Sequence, residues 1–177
     1  MKTTYTITAY SENQIGLLNR ITIIFTRRQV NIETLTVSPS AIAGIHKFTI
    51  VVREEKAKVE KVVRQIEKLV EVLRAFYHPD EEVVFQEIAL YKVPTEALLA
   101  STDLETIIRK HNARILEVMP EYTIIEKTGH EEETQSLFVE LQQFKVRQFT
   151  RSGRVAVTKL KKELLSDYLK KVDRHQA

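Results

Sequence analysis

Apolar and polar side chains alternate from Thr4 to Tyr10, with Tyr5, Ile7 and Ala9 on one side and threonines on the other. A period of two predicts a strand with one buried face and one half-polar face. The period then lengthens. Leu17, Leu18, Ile21, Ile24 and Phe25 fall on one stripe, which predicts a helix over about residues 16–28. A second strand is expected over 32–38, a flexible connection over 39–44 and a third strand over 47–52. Val59, Val62, Val63 and Ile66 recur at helical spacing within 54–68, under a charged outer face, and residues 70–77 close the half as a fourth strand. Strand, helix, strand, strand, helix, strand is the order of the ferredoxin-like unit.

His78-Pro79-Asp80-Glu81-Glu82 interrupts two strand patterns with a proline and an acidic cluster, so a boundary is placed after His78. The same order then repeats. A strand is expected over 83–93, a broken helical stretch opened by Pro94 and Thr95 with Leu104, Ile107 and Ile108 in its firmer part, and strands over 113–119 and 122–127 around Pro120. An amphipathic helix over 131–143 and a last strand starting at 146–150 complete the set. The expected architecture is α+β, two βαββαβ domains over 1–78 and 79–158, duplicated in architecture but not visibly in sequence. A basic amphipathic helix is expected within 159–177, with Lys159, Lys161, Lys162, Lys170, Lys171 and Arg174.

Composition narrows the chemistry mainly by exclusion. The 177 residues contain no cysteine, so a disulfide, a thiolate nucleophile and a cysteine metal site are all absent. Met1-Lys2-Thr3-Thr4 leads directly into a strand pattern, and no later stretch is long and apolar enough to span a bilayer, so a soluble, cytoplasmic chain without membrane association is expected. A net charge of +3, with acidic and basic residues interspersed, does not argue for nucleic acid. Four separated glycines permit neither a dinucleotide fingerprint nor a P-loop. The five histidines are scattered, and Glu131-Glu132-Glu133 reads as the first turn of a helix, where carboxylates favour the positive end, rather than as a metal cluster. No nucleophile, base or metal constellation emerges, so the chain is not expected to be an enzyme by itself, and neither a catalytic residue nor a metal ligand is assigned.

One stretch does suggest a ligand. Between the first strand and its helix lies Ser11-Glu12-Asn13-Gln14-Ile15-Gly16. A glycine at such a turn lets backbone approach a ligand, and the unpaired first amides of the helix make a seat for a carboxylate. Asn13 and Asn31 bracket the helix with amides able to face both ammonium and carboxylate, while Ile15, Leu17 and Ile32 supply apolar surface suited to a branched side chain. On a purely structural reading the same residues are a tight turn at Gly16, a helix cap at Asn13 and a left-handed residue at Asn31.

Glu12-Asn13-Gln14-Ile15-Gly16-Leu17-Leu18-Asn19-Arg20-Ile21, followed by Phe25, Arg28 and Asn31-Ile32-Glu33-Thr34-Leu35-Thr36-Val37, resembles the first ACT domain of the acetolactate synthase (acetohydroxyacid synthase) small regulatory subunits. Arg151-Ser152-Gly153-Arg154-Val155-Ala156 is similar to that family's closing segment, whereas the basic tail has no clear counterpart in its shorter members. The resemblance implies that ACT domains pair side by side in a homodimer. It also implies that valine, or a related branched-chain amino acid, binds at their interface through positions matched here by Asn13, Gly16 and Asn31. Gln14, Ile15, Leu17 and Ile32 would line the pocket. It implies a large catalytic subunit as partner, stimulated by this chain and made sensitive to end product in branched-chain amino acid biosynthesis. Thiamine diphosphate, magnesium and FAD are then expected on that partner, with no cofactor in this chain. Gln29 stands where the family often has glycine, which affects the helix exit and leaves room for leucine or isoleucine to compete with valine.

Two other readings share the fold. A free-standing ACT sensor of another metabolic enzyme predicts the same pocket without an acetolactate synthase partner. RNA recognition on this strand order needs stacking aromatics and glycines on the central strands, and Thr4, Thr6, Thr8, Lys47, Thr49 and Val51 do not supply them.

Overall fold

In a computed structural model, residues 1–100 and 102–160 are described. The basic helix expected within 159–177 lies, beyond its first two residues, outside them. The chain forms two compact units, one of residues 1–84 joined by the segment that starts at Arg154, the other of residues 85–153.

In the first unit the alternating stretch forms β1 (Thr3–Glu12), and the apolar stripe forms α1 (Leu17–Arg27). β2 (Thr34–Pro39), β3 (Ile45–Glu54), α2 (Lys56–Ile66) and β4 (Val72–Pro79) follow. The sheet is antiparallel in the order β2-β3-β1-β4, the ferredoxin-like arrangement expected from the element order. Tyr5, Ile7 and Ala9 of β1, with Phe48, Ile50 and Val52 of β3, meet Leu17, Ile21 and Phe25 of α1 and Val59, Val62 and Ile66 of α2 in one buried cluster. The other face of the sheet is not the half-exposed polar surface that alternation predicts. Thr6, Thr49 and Val51 are buried there, as is Ala156 of β9 (Val155–Thr158), and Arg154 donates to Thr6 Oγ1 at 3.2 Å and to Asp80 Oδ1 at 2.6 Å.

Two boundaries moved for identifiable reasons. The second strand starts at Thr34 rather than 32, because the chain leaves α1 through a turn at Arg28 and Gln29 and reaches β3 only at Glu33, whose amide donates to Val51 O at 2.8 Å. The fourth strand runs on through His78 and Pro79, since β4 is an edge strand, where proline's missing amide is tolerated, and a single 3-10 turn over Asp80–Glu82 follows without a loop.

The exit of α1 carries backbone strain. Gln29 adopts φ 52, the left-handed conformation that glycine enters freely. Its amide donates to Thr26 O and that of Val30 to Phe25 O, both at 3.0 Å, which closes the helix. Gln29→Gly is expected to stabilise the protein by about 1 kcal/mol and raise its melting temperature by about 2 to 4 °C. A calorimetric scan that shows no increase would refute this assignment of strain.

The second unit repeats the order with β5 (Val83–Val93), α3 (Thr95–Ala100), α4 (Asp103–Lys110), β6 (Arg114–Val118), β7 (Thr123–Gly129), α5 (Glu131–Leu141) and β8 (Gln148–Arg151). Four of its strands run in the order β6-β7-β5-β8, so the duplicated architecture read from the pattern is present. Ala89, Tyr91, Val93, Leu104, Ile108, Ile125, Leu137 and Leu141 form its core. The Tyr91 hydroxyl donates to Thr134 O at 2.6 Å, and burial pushes its pKa up to about 12. Ser152 ends β8 by exchanging two hydrogen bonds with Ile88, N–H to O at 2.8 Å and Oγ from N–H at 2.9 Å, a local role for the Arg-Ser-Gly segment.

Candidate functional site

Gly16 is the N-cap of α1 at φ 84, ψ −7, and no side chain caps the helix. Asn13 therefore does not have the capping role of the purely structural reading, and the left-handed residue beyond the helix is Gln29 and not Asn31. A Cβ on Gly16 would meet nothing within 4 Å, so glycine is needed there for its conformation and leaves open space above the turn. The Leu17 amide folds back to Gln14 O at 3.3 Å, and the Asn13 amide is tied to Gly44 O at 3.2 Å. The amides of Leu18 and Asn19 have no carbonyl four residues back inside the helix, which leaves the positive end of α1 facing outward.

That end opens on a cleft of about 160 Å³. Asn13, Gln14, Gly16 and Leu17 line it, together with Glu12, Leu18, Val37 of β2, and His46 and Phe48 of β3. Phe48 is buried, Leu18 and Val37 are partly exposed, and His46 Nδ1 is shielded from solvent without a hydrogen-bond partner among the described residues. Three further residues of the sequence-based set lie elsewhere. Ile15 projects fully into solvent, Asn31 Nδ2 donates to Glu33 Oε1 at 3.0 Å, and Ile32 packs partly buried against the first core. The 11 residues of α1 span about 16 Å, so Asn13 and Asn31 sit at opposite ends of one helix. His46, Val37 and Phe48 were not found from sequence. They reach the cleft through the β2-β3-β1 pairing, which places Ser11 opposite His46 and Val37 opposite Phe48.

An ion pair steadies the loop. Arg20 Nη2 is 2.8 Å from Glu71 Oε1 and 3.4 Å from Gln14 Oε1. The Arg20 guanidinium, followed by a backbone amide, holds the Glu71 carboxyl below its ordinary 4.5. A carboxyl depressed in the folded state stabilises the fold above its unfolded pKa, and that contribution is lost as pH falls through the folded value. Glu71→Gln is thus expected to flatten the decline in stability below the ordinary carboxylate value, with urea midpoints measured from about pH 7 to about pH 3. An acid limb as steep as that of the unsubstituted protein would contradict the pairing.

Residues 7–74 match the family model "AHAS small subunit-like ACT domain", and residues 86–160 match "Small subunit of acetolactate synthase". The acetolactate synthase small subunit of Bacillus subtilis is 32% identical over 157 residues, which cover 88% of this chain and 90% of that one. That of Mycobacterium bovis is 31% identical over 156 residues, 88% of this chain and 92% of its own. The chain belongs to the acetolactate synthase small subunit family. The crystal structure of the acetolactate synthase small subunit from Thermotoga maritima matches with a TM-score of 0.79 at 26% identity, covering 90% of this chain and 99% of that chain. In this acetolactate synthase small subunit family member, the cleft at the start of α1 belongs to the ACT domain, which occupies the matched residues 7–74.

Proposed function

We propose that the chain is the non-catalytic regulatory subunit of an acetolactate synthase and binds valine at the positive end of α1. The observation that carries this reading is the cleft over Gly16 in the ACT domain of a chain of this family. First-turn amides left without acceptors suit the effector's carboxylate, and Leu17, Leu18, Val37 and Phe48 offer apolar surface to a branched side chain.

The completed site is a pair of ACT domains. One copy cannot bring Asn13 and Asn31 to a single amino acid across about 16 Å, whereas a second copy laid alongside can supply its own Asn31 and Ile32 next to the first copy's Asn13 and Gly16. Exposed Ile15, Leu18, Ile23 and Val37 cluster in sequence on α1, its leading loop and the edge strand β2, and they are the apolar side chains such pairing would cover. Residues 1–78 thus form the effector domain.

The partner is the large catalytic subunit, which carries thiamine diphosphate, magnesium and FAD. Lys47 stands between cleft residues His46 and Phe48 and donates to Ala156 O at 2.6 Å, so a shift of β3 on effector binding would be felt in the closing segment of the chain. Coupling of about 1 to 3 kcal/mol between effector and partner suffices for effective feedback. Gel filtration of this chain mixed with the same organism's large subunit tests the assignment. Co-elution with raised acetolactate synthesis supports it, and two separate peaks with unchanged activity would point instead to a sensor of another enzyme.

A further inference from the structure

A second cavity lies wholly within the second unit. It measures about 340 Å³ and is lined by Lys110, His111 and Asn112 at the end of α4, by Lys127 of β7, and by Glu132, Glu133 and Ser136 of α5. Along β7, Thr123, Ile125 and Lys127 alternate onto the face that carries the core, so Lys127 takes a position usually filled by an apolar residue. Only 9% of its side chain is accessible, yet its ammonium is not among the polar atoms closed off from solvent. Its ion-pair partner, Glu133 Oε1, lies 3.8 Å away, too far for a hydrogen bond, while Glu133 Oε2 accepts from the His130 amide at 2.7 Å. All three ammonium donors are thus without a hydrogen-bond acceptor among the described residues. A buried ammonium in that state is unfavourable, and a ligand that supplies acceptors relieves the cost.

The neighbouring groups divide by what they already hold. Lys110 Nζ and His111 Nε2 both lie against Glu140, at 2.8 and 3.0 Å. The side chains of Glu132 and Ser136, one turn apart on the same side of α5, and the Asn112 carboxamide have no partner among the described residues. What stays open is one ammonium, one carboxylate, one carboxamide and one hydroxyl, with no apolar side chain beside them. Two lysines and two glutamates line the cavity, so neither a plain anion nor a plain cation is favoured.

We infer that this cavity binds a small polar α-amino acid, its carboxylate on Lys127, its ammonium on Glu132 and its side chain toward Asn112 and Ser136. The volume is at the lower end of the range for small-molecule sites, as a ligand of this size requires. The selectivity is the reverse of that proposed for the cleft at α1, where Leu17, Leu18, Val37 and Phe48 suit a branched apolar side chain. The two sites share no residue, and this one stands without the valine reading.

The test is a calorimetric titration of the full chain with L-glutamine, repeated at high L-valine and on Lys127→Met, Glu132→Gln and Gly16→Asp, each first checked by a thermal melt. Lys127→Met replaces a buried charge by an apolar chain, a change that cores accept, and is expected to weaken glutamine about ten- to hundredfold, the size of a hydrogen bond to a charged group. Glu132→Gln, on the exposed rim, weakens it about two- to fivefold. Glutaramate, which is glutamine without its ammonium, binds more weakly than glutamine. Gly16→Asp and added valine leave glutamine affinity unchanged. Full affinity in Lys127→Met, or no glutamine binding by the unsubstituted chain, overturns the site. Glutaramate binding as tightly as glutamine overturns the assignment to a zwitterion, and loss of glutamine in Gly16→Asp alone moves the ligand to the cleft at α1. A chain that binds glutamine but not valine refutes the valine reading and leaves this one intact.

Discussion

Gly16→Asp is expected to abolish the proposed valine response while the first unit stays folded. The backbone at Gly16 sits at φ 84, where a side chain is strained by about 1 to 2 kcal/mol, yet a new Cβ would touch nothing within 4 Å. Aspartate is among the residues that enter this conformation most readily, so the fold tolerates it. Its carboxylate then lies at the positive end of α1, where it occupies the place of the effector carboxylate and repels it. A like charge at that distance costs several kcal/mol, so valine affinity should fall by about a hundredfold or more. Titration calorimetry with a thermal melt as control reads both effects. Unchanged valine affinity in a folded variant would remove the site from the start of α1.

The largest loss of stability is expected from Phe25→Ala. Phe25 is 1% exposed in the last turn of α1, and it packs in the cluster that joins both helices to the sheet. Truncation leaves a cavity that the surrounding strands cannot fill, at a cost of about 3 to 5 kcal/mol, a large part of a typical stability of about 5 to 15 kcal/mol. Thr26, the next residue and on the outer side of the same helix, is the control: it is exposed, and Thr26→Ala should cost less than about 1 kcal/mol. Chemical denaturation of the two variants separates them. Similar losses would mean that the packing face of α1 has been misassigned.

Much of the fold could be read from the chain because one face of each element is buried. The alternation of Tyr5, Ile7 and Ala9 and the stripe Leu17, Ile21, Phe25 both survive as core, and the duplicated order emerges from two such sets. What could not be read depends on contacts between distant segments. Thr6 and Thr49 look like a solvated face until β9 is known to return, with Ala156 buried and Arg154 on Thr6. Gln29 could be suspected of the left-handed position only through the resemblance, since glycine often stands there in the family and no local pattern in this chain marks the position. In the candidate site, Asn13, Gln14, Gly16 and Leu17 could be grouped because they are adjacent in sequence, whereas His46 and Phe48 enter through strand register. Asn31 belongs to the same motif but lies a helix length away, a separation that the proposed pairing with a second copy would bridge.

Valine is proposed to act through this chain on a catalytic partner. The most direct measurement is acetolactate synthesis by the same organism's large subunit, with and without this chain, across a titration of L-valine. The chain is expected to stimulate the large subunit, and valine to reverse that stimulation progressively. Stimulation that no concentration of valine alters, with the complex intact, would contradict it.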